Sequence, residues 1–191
     1  FIGSELVRMG KSLGYEVYGF DVVEPSKRED LSVFRQGNIL DLDALREYAD
    51  DVVPEAVIHL AAACDITDMR TDAAGLSSYP ENIEGVGNII DVVKNSKSVR
   101  RVVYTSTQLV SEVGCQPETL EECRPTTFYG KSKLEGEKLV HSNAGDQPSW
   151  VIVRPTSVWG PGMGAYYRKF IDYLVEGKYF HISNKPLFKS Y

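Results

Sequence analysis

Ala56-Val57-Ile58-His59-Leu60-Ala61-Ala62 is apolar nearly throughout, and a short run without polar alternation reads as a strand covered on both faces. Strands of that kind belong to parallel sheets. Upstream of it, residues 16–22 and 33–35 read as two further strands; downstream, residues 101–106 and 149–154 read as two more. Helical spacing fills the intervals. Ile2, Leu6, Met9 and Leu13 fall on one stripe with Gly14 as a stop, and residues 40–48 form a second helix. Ile83, Val86, Ile90 and Val93 share a side of a helix over 82–93, and residues 129–143 and 163–176 read as two more helices, with a late strand at 178–182. These intervals are too long for hairpins. They call for right-handed crossovers, and so for an α/β fold built on a doubly wound, mostly parallel sheet.

The chain has 191 residues, 42% hydrophobic and 25% charged, enough for one domain with a full core and part of a second. A net charge of -6 with no basic stripe argues against a nucleic-acid partner. Cys64, Cys115 and Cys123 are widely spaced and odd in number, which suits a reducing compartment and offers neither a disulfide framework nor metal-ligand spacing. No run of eighteen apolar residues is present, so a cytoplasmic location without membrane insertion is the expectation. Residues 115–127, with two prolines and no periodicity, read as a surface excursion, and Gly160-Pro161-Gly162 as a second break.

In an open parallel sheet, ligands gather beyond the carboxyl ends of the strands. Asp21 closes the first strand, where a carboxylate can accept both ribose hydroxyls of an adenosine and repel a 2′-phosphate; that favours NAD over NADP, although Lys27 and Arg28 lie close in sequence. Asn38 and Ile39 follow the second strand and offer an amide and an apolar wall to adenine. Leu60, Ala61 and Ala62 follow the third, where small side chains admit a cofactor to the backbone or serve tight packing equally well. Tyr129 and Lys133 stand four residues apart on one helix face. A fixed cation beside a phenol favours the phenolate, so Tyr129 becomes a candidate acid/base. His59 reads as a packed strand residue.

Phe1-Ile2-Gly3, Asp21, His59-Leu60-Ala61-Ala62, Asn82 with Gly85 and Asn88, Tyr104-Thr105-Ser106-Thr107, Tyr129-Gly130-Lys131-Ser132-Lys133 and Arg154-Pro155-Thr156-Ser157-Val158-Trp159-Gly160-Pro161-Gly162 follow one another in a recognisable order. In that order and spacing the chain resembles the extended short-chain dehydrogenase/reductases, also called the NAD-dependent epimerase/dehydratase family, over essentially its whole length. The resemblance implies a Rossmann-like NAD-binding domain over 1–160, lacking its first strand, and the beginning of a substrate-binding region over 161–191. It implies a chain clipped at both ends. Gly3 matches the last glycine of the family's G-x-x-G-x-x-G fingerprint. Tyr129 matches the acid/base, Lys133 the residue that lowers its pKa and bonds the nicotinamide ribose, and Thr107 the third catalytic hydroxyl, with Ser106 the alternative if the register slips by one. Asn82 matches an asparagine near the active site, its other reading being a helix N-cap. Pro155 to Val158 matches the segment touching the nicotinamide carboxamide, mainly through backbone.

Members that dehydrate sugars carry an Asp-Glu pair after the catalytic threonine, whereas Gln108-Leu109 stands here. Neither can protonate a leaving hydroxyl, so simple hydride chemistry on a secondary alcohol is what the resemblance leaves. The substrate is expected to be a nucleotide sugar, processed by an epimerase. A dehydrogenase or ketoreductase acting on a sterol-like or other alcohol is the alternative, and a non-catalytic dinucleotide-binding module stands behind both. The helices bearing Asn82 and Tyr129 would, by the same resemblance, pair in a homodimer.

Overall fold

The computed structural model describes residues 1–25, 32–64, 75–112, 114–160 and 162–178. Along the chain run α1 (Ile2–Ser12), β1 (Tyr18–Asp21), β2 (Val33–Gln36), α2 (Leu42–Val52), β3 (Ala56–His59), α3 (Pro80–Asn95), β4 (Arg101–Thr105), α4 (Phe128–Asn143), β5 (Ser149–Val153) and α5 (Ala165–Val175). Every strand pairing is parallel. β1 pairs with β2, and β4 lies between β3 and β5, with Val57 opposite Val102 and Val102 opposite Trp150. The expected α/β alternation is present, and Gly14 follows α1 with φ 83°. The late strand expected at 178–182 falls, beyond Lys178, outside the described residues, as do Lys27, Arg28 and Pro161.

Register decides which side chains meet the helices. Val57, Val102 and Trp150 point one way with Tyr104 and Ile152, and against them pack Val86, Ile89, Ile90 and Val93 of α3 and Val140 of α4. The other face is different. Ile58, Val151 and Val153 are 52%, 42% and 37% exposed, so the expectation that the 56–62 run is covered on both faces holds on one face only.

The helix ends are set locally. The Asp41 carboxylate accepts from Ala44 N at 3.0 Å to cap α2, and the Thr127 hydroxyl accepts from Gly130 N at 3.0 Å to cap α4. Tyr48 of α2 sends its hydroxyl between Gly19 O at 2.9 Å and Val33 O at 3.1 Å, fastening that helix to β1 and β2. The 115–127 stretch is not wholly a surface excursion. Its Cys123 is buried with Val110 and Leu134 in a second small core, because a 3₁₀ turn at Leu120–Glu122 folds it inward.

α3 and α4 touch at Gly136. A Cβ there would sit 2.7 Å from the Asn82 carbonyl oxygen and 3.3 Å from Val86 Cγ2, so only glycine lets the two backbones come this close. Gly136→Ala is therefore expected to destabilise the fold by about 1–3 kcal/mol, the usual range for overpacking, read as a lowered midpoint in urea. A midpoint unchanged within error would mean that α3 can back away freely.

Candidate functional site

β4 ends at Thr105, but its alignment with the chain after β5 continues: Ser106 N donates to Val153 O at 2.7 Å and Gln108 N to Pro155 O at 3.0 Å. The chain then tightens into a 3₁₀ turn, Gln108–Val110, capped by the Thr107 hydroxyl, which accepts from Leu109 N at 3.2 Å. Gly130 faces the Leu109 carbonyl so closely that any Cβ there would collide with it. Its missing side chain seats the first turn of α4 on this 3₁₀ turn, bringing Tyr129 to Thr107. The alternative hydroxyl, Ser106, is buried and has no hydrogen-bond partner among the described residues. Register therefore gives Thr107, not Ser106, to Tyr129.

Tyr129, Lys133 and Glu137 lie one turn apart on α4 and are 9%, 5% and 3% exposed. Asn82 holds this helix against the segment that follows β3. Its Oδ1 accepts from Ala63 N at 2.9 Å, and its Nδ2 reaches Ala63 O at 3.0 Å and Ser132 Oγ at 2.9 Å; the Ser132 hydroxyl in turn donates to Tyr129 O at 2.8 Å. The N-cap reading of Asn82 is thereby corrected: α3 starts at Pro80 after Tyr79, and the Asn82 amide is turned sideways into the fold.

Burial governs the electrostatics. The Tyr129 phenol is pushed up to about 12, first by desolvation and then by the nearby Cys64, while the Thr107 hydroxyl acts the other way by favouring the phenolate. Lys133 is pushed down to about 8 by burial, with Cys64 and Glu137 opposing. The expectation that Lys133 holds Tyr129 ionisable is not met in this state, because desolvation dominates both groups and drives each toward its neutral form.

Glu137 was not singled out by sequence. It forms a two-point pair with Arg154, Nε to Oε1 at 2.9 Å and NH2 to Oε2 at 2.6 Å, in which the carboxylate is almost fully buried. The signal available was its place four residues beyond Lys133, on the same face, with an arginine closing the next strand. Cys64, a neighbour in charge of both Tyr129 and Lys133, carried no such signal.

The remaining expected cofactor contacts sort into four groups. A methyl on Gly3 would lie 3.6 Å from Leu60 Cδ1, so the start of α1 meets the end of β3; the Phe1 ring lies against Gly160 and Gly162, and Ala61 and Ala62 are half-buried beside Leu60. Asp21 is exposed at the end of β1, one carboxylate oxygen accepting from Val23 N at 3.0 Å. Asn38 and Ile39 are committed elsewhere. The Asn38 side chain accepts from Leu40 N at 3.0 Å, and Ile39, 6% exposed, fills the notch left by Gly85 in the core. Pro155 offers its carbonyl to Gln108, and Val158 is half-buried.

These residues suit a dinucleotide on one physical ground above others. Lys133, 5% exposed as a residue, has no hydrogen-bond acceptor or ion-pair partner for its ammonium among the described residues, a need that a ribose hydroxyl would meet. Lys133 would hold such a ribose, Asp21 the adenosine end, and the Gly3–Leu60 junction the span between.

The sequence profile of the NAD dependent epimerase/dehydratase family matches residues 1–181. A 3 beta-hydroxysteroid dehydrogenase/Delta 5-->4-isomerase of Mycobacterium tuberculosis is 28% identical over 93% of this chain and 50% of its own length. A UDP-glucose 4-epimerase of Vibrio cholerae is 32% identical over 63% of this chain and 38% of its own. Among solved structures, the Bordetella bronchiseptica enzyme WbmG in complex with NAD superposes with a TM-score of 0.71 at 28% identity, covering 93% of this chain and 57% of that one. The chain spans about half the length of such relatives or less.

His59 yields a prediction about pH. Its imidazole is pushed down to about 3, by burial first and by Lys133 second, so it stays neutral in the fold while an unfolded chain protonates it below about 6.5. The unfolded state then binds the extra proton, and stability falls as pH drops through this window, by roughly 2 kcal/mol at pH 5. Thermal melts between pH 7 and 4.5 should show that loss, and His59→Asn should flatten it.

Proposed function

The chain belongs to the NAD dependent epimerase/dehydratase family, and from that premise we propose that it oxidises a secondary alcohol of a nucleotide sugar by hydride transfer, with Tyr129 as acid/base. The observation that carries this reading is the meeting of the Thr107 hydroxyl with the Tyr129 phenol, one helical turn from a buried lysine whose ammonium has no hydrogen-bond or ion-pair partner among the described residues. NAD, when bound, supplies the hydride acceptor.

The side chains divide the remaining work. Thr107 donates to the substrate oxygen and orients it. Tyr129 exchanges the proton on that oxygen; held near 12 it keeps its own proton at neutral pH, which suits it to protonate a ketone as hydride returns. Lys133, charged below about 8, would hold the ribose of a bound NAD and would supply the positive charge that the reverse transfer needs. Glu137 is locked to Arg154, and Gln108 follows Thr107, so no carboxylate among these is free to expel a hydroxyl as water. This supports oxidation and reduction over dehydration.

The nucleotide-sugar reading rests on the likeness to the 4-epimerase. The likeness to the hydroxysteroid dehydrogenase, which runs over 93% of the chain, favours a second reading, an alcohol dehydrogenase on a sterol-like substrate. Incubation of the whole protein with UDP-glucose and NAD separates them: a 4-epimer without net NADH supports the epimerase. Net NADH from a 3-hydroxysteroid, with UDP-glucose inert, supports the dehydrogenase.

Tyr129→Phe should lower kcat by about 10²–10⁴-fold with NAD affinity nearly unchanged, as measured by turnover and by titration calorimetry. Lys133→Ala should weaken both. A Tyr129→Phe protein with full turnover would remove the phenol from its role.

A further inference from the structure

On the sheet side of α4, behind Lys133, lies a small cavity whose wall includes His59 from β3, Tyr104 from β4, Ser106, and Lys133 and Glu137 from α4. His59, Tyr104 and Ser106 all line it, and His59 Nε2, Tyr104 Oη and Ser106 Oγ are buried with no hydrogen-bond partner among the described residues. Buried polar atoms in native proteins are nearly always bonded, and several that converge on one cavity are the usual setting of an internal water. The volume open to the centre of a water molecule is about 10 Å³, close to what a single molecule requires. The His59 and Tyr104 rings meet edge-on with centroids 6.3 Å apart, so their polar atoms cannot serve each other through ring stacking and both are left for a third party.

We propose that this cavity is a water site and that His59, acting through the water, is a positioning residue for Lys133. The water oxygen accepts from the Lys133 ammonium. One water hydrogen goes to His59 Nε2, which carries a lone pair when the imidazole proton sits on Nδ1, and the other goes to Tyr104 Oη. The Ser106 hydroxyl donates to the second lone pair of the water. All four hydrogen-bonding positions of the molecule are then used, and the three orphaned atoms are satisfied. No proton is transferred in this arrangement; it keeps the ammonium charged against its burial and aims it.

The chemistry of the wall fits. His59 is held neutral throughout the physiological range, so its lone pair stays available to a water that faces a cation. Glu137, the other charged group on the wall, is engaged by Arg154 at both oxygens and leaves Lys133 in need of a further acceptor. Tyr104 keeps its proton, pushed up to about 12 by burial. The Cys64 thiol, in the segment after β3, is the remaining titratable group acting on Lys133. The site rests on the reading under Proposed function only for the importance of Lys133; its existence does not.

Two measurements on the whole protein, neither needing turnover, test it. A high-resolution crystal structure should show one ordered water within about 3.2 Å of both His59 Nε2 and Lys133 Nζ. Titration of the Lys133 ammonium, followed by ¹⁵N-lysine NMR, should give a pKa about one pH unit or more lower in His59→Leu, and near the wild-type value in His59→Gln, whose amide oxygen can accept from the same water. Should His59→Leu fail to fold, Tyr104→Phe keeps the ring and should shift Lys133 in the same direction by less. A dry cavity, or a Lys133 titration indifferent to both His59→Leu and Tyr104→Phe, overturns the proposal and leaves the enzymatic reading intact. An ordered water with the expected shifts in a protein without turnover does the reverse.

Discussion

A helix that buries polar side chains down one face can do so only if each finds a partner, and α4 is such a helix. Tyr129, Lys133 and Glu137 follow one another at single-turn intervals, all nearly closed to solvent. Isolated buried charges are too costly to persist, so the surroundings must answer them one by one. Arg154 answers Glu137 from the end of β5, and Thr107 approaches Tyr129 from the end of β4. Lys133 is left to the cavity behind it. The small residues of the helix follow from the same demand: Gly130 and Gly136 exist where the Leu109 carbonyl and the Asn82 backbone must come close enough to shut water out.

Asn82 is the device that joins the two halves of this arrangement. It bonds both backbone groups of Ala63 and the Ser132 hydroxyl, so the segment leaving β3 is tied to α4 by one side chain that is wholly buried. An amide suits this place because it offers donor and acceptor together. A serine or leucine of similar reach could hold one side or neither. Leu60, adjacent to Gly3, and Cys64, adjacent in charge to Tyr129 and Lys133, are thus set by a common anchor.

Much of this was legible in the sequence wherever periodicity carries the information. Strand-helix alternation, the i,i+4 spacing of Tyr129 and Lys133, and Asp21 at a strand end all depend on local pattern, and all are found where the pattern puts them. What was not legible depends on which face is covered and on pairings far apart in the chain. Ile39 reads as an apolar wall for adenine until Gly85, on another element, leaves it a notch in the core. Ile58 reads as a residue covered on both sides, yet it stands 52% exposed. Glu137 meets Arg154 across 17 positions of sequence, at a helix-to-strand contact that no local window contains.

The reversal in the phenol's acidity has the same origin and says most about how the site works. Spacing guarantees that a lysine is near the tyrosine, but it says nothing about how much water remains around either. Desolvation penalises the phenolate and the ammonium alike, so in the protein alone both drift toward neutrality: one group rises to about 12 and the other falls to about 8. A pair in that condition keeps its phenol protonated at neutral pH, so it is poised to donate a proton and not to take one. Proton abstraction then requires the ammonium to be kept charged and turned toward the phenol, and the groups able to do that are those that give Lys133 acceptors. Glu137 is already spent on Arg154, so the balance between acid and base at Tyr129 is set by what else bonds the lysine, a ligand on one side and the His59 wall on the other.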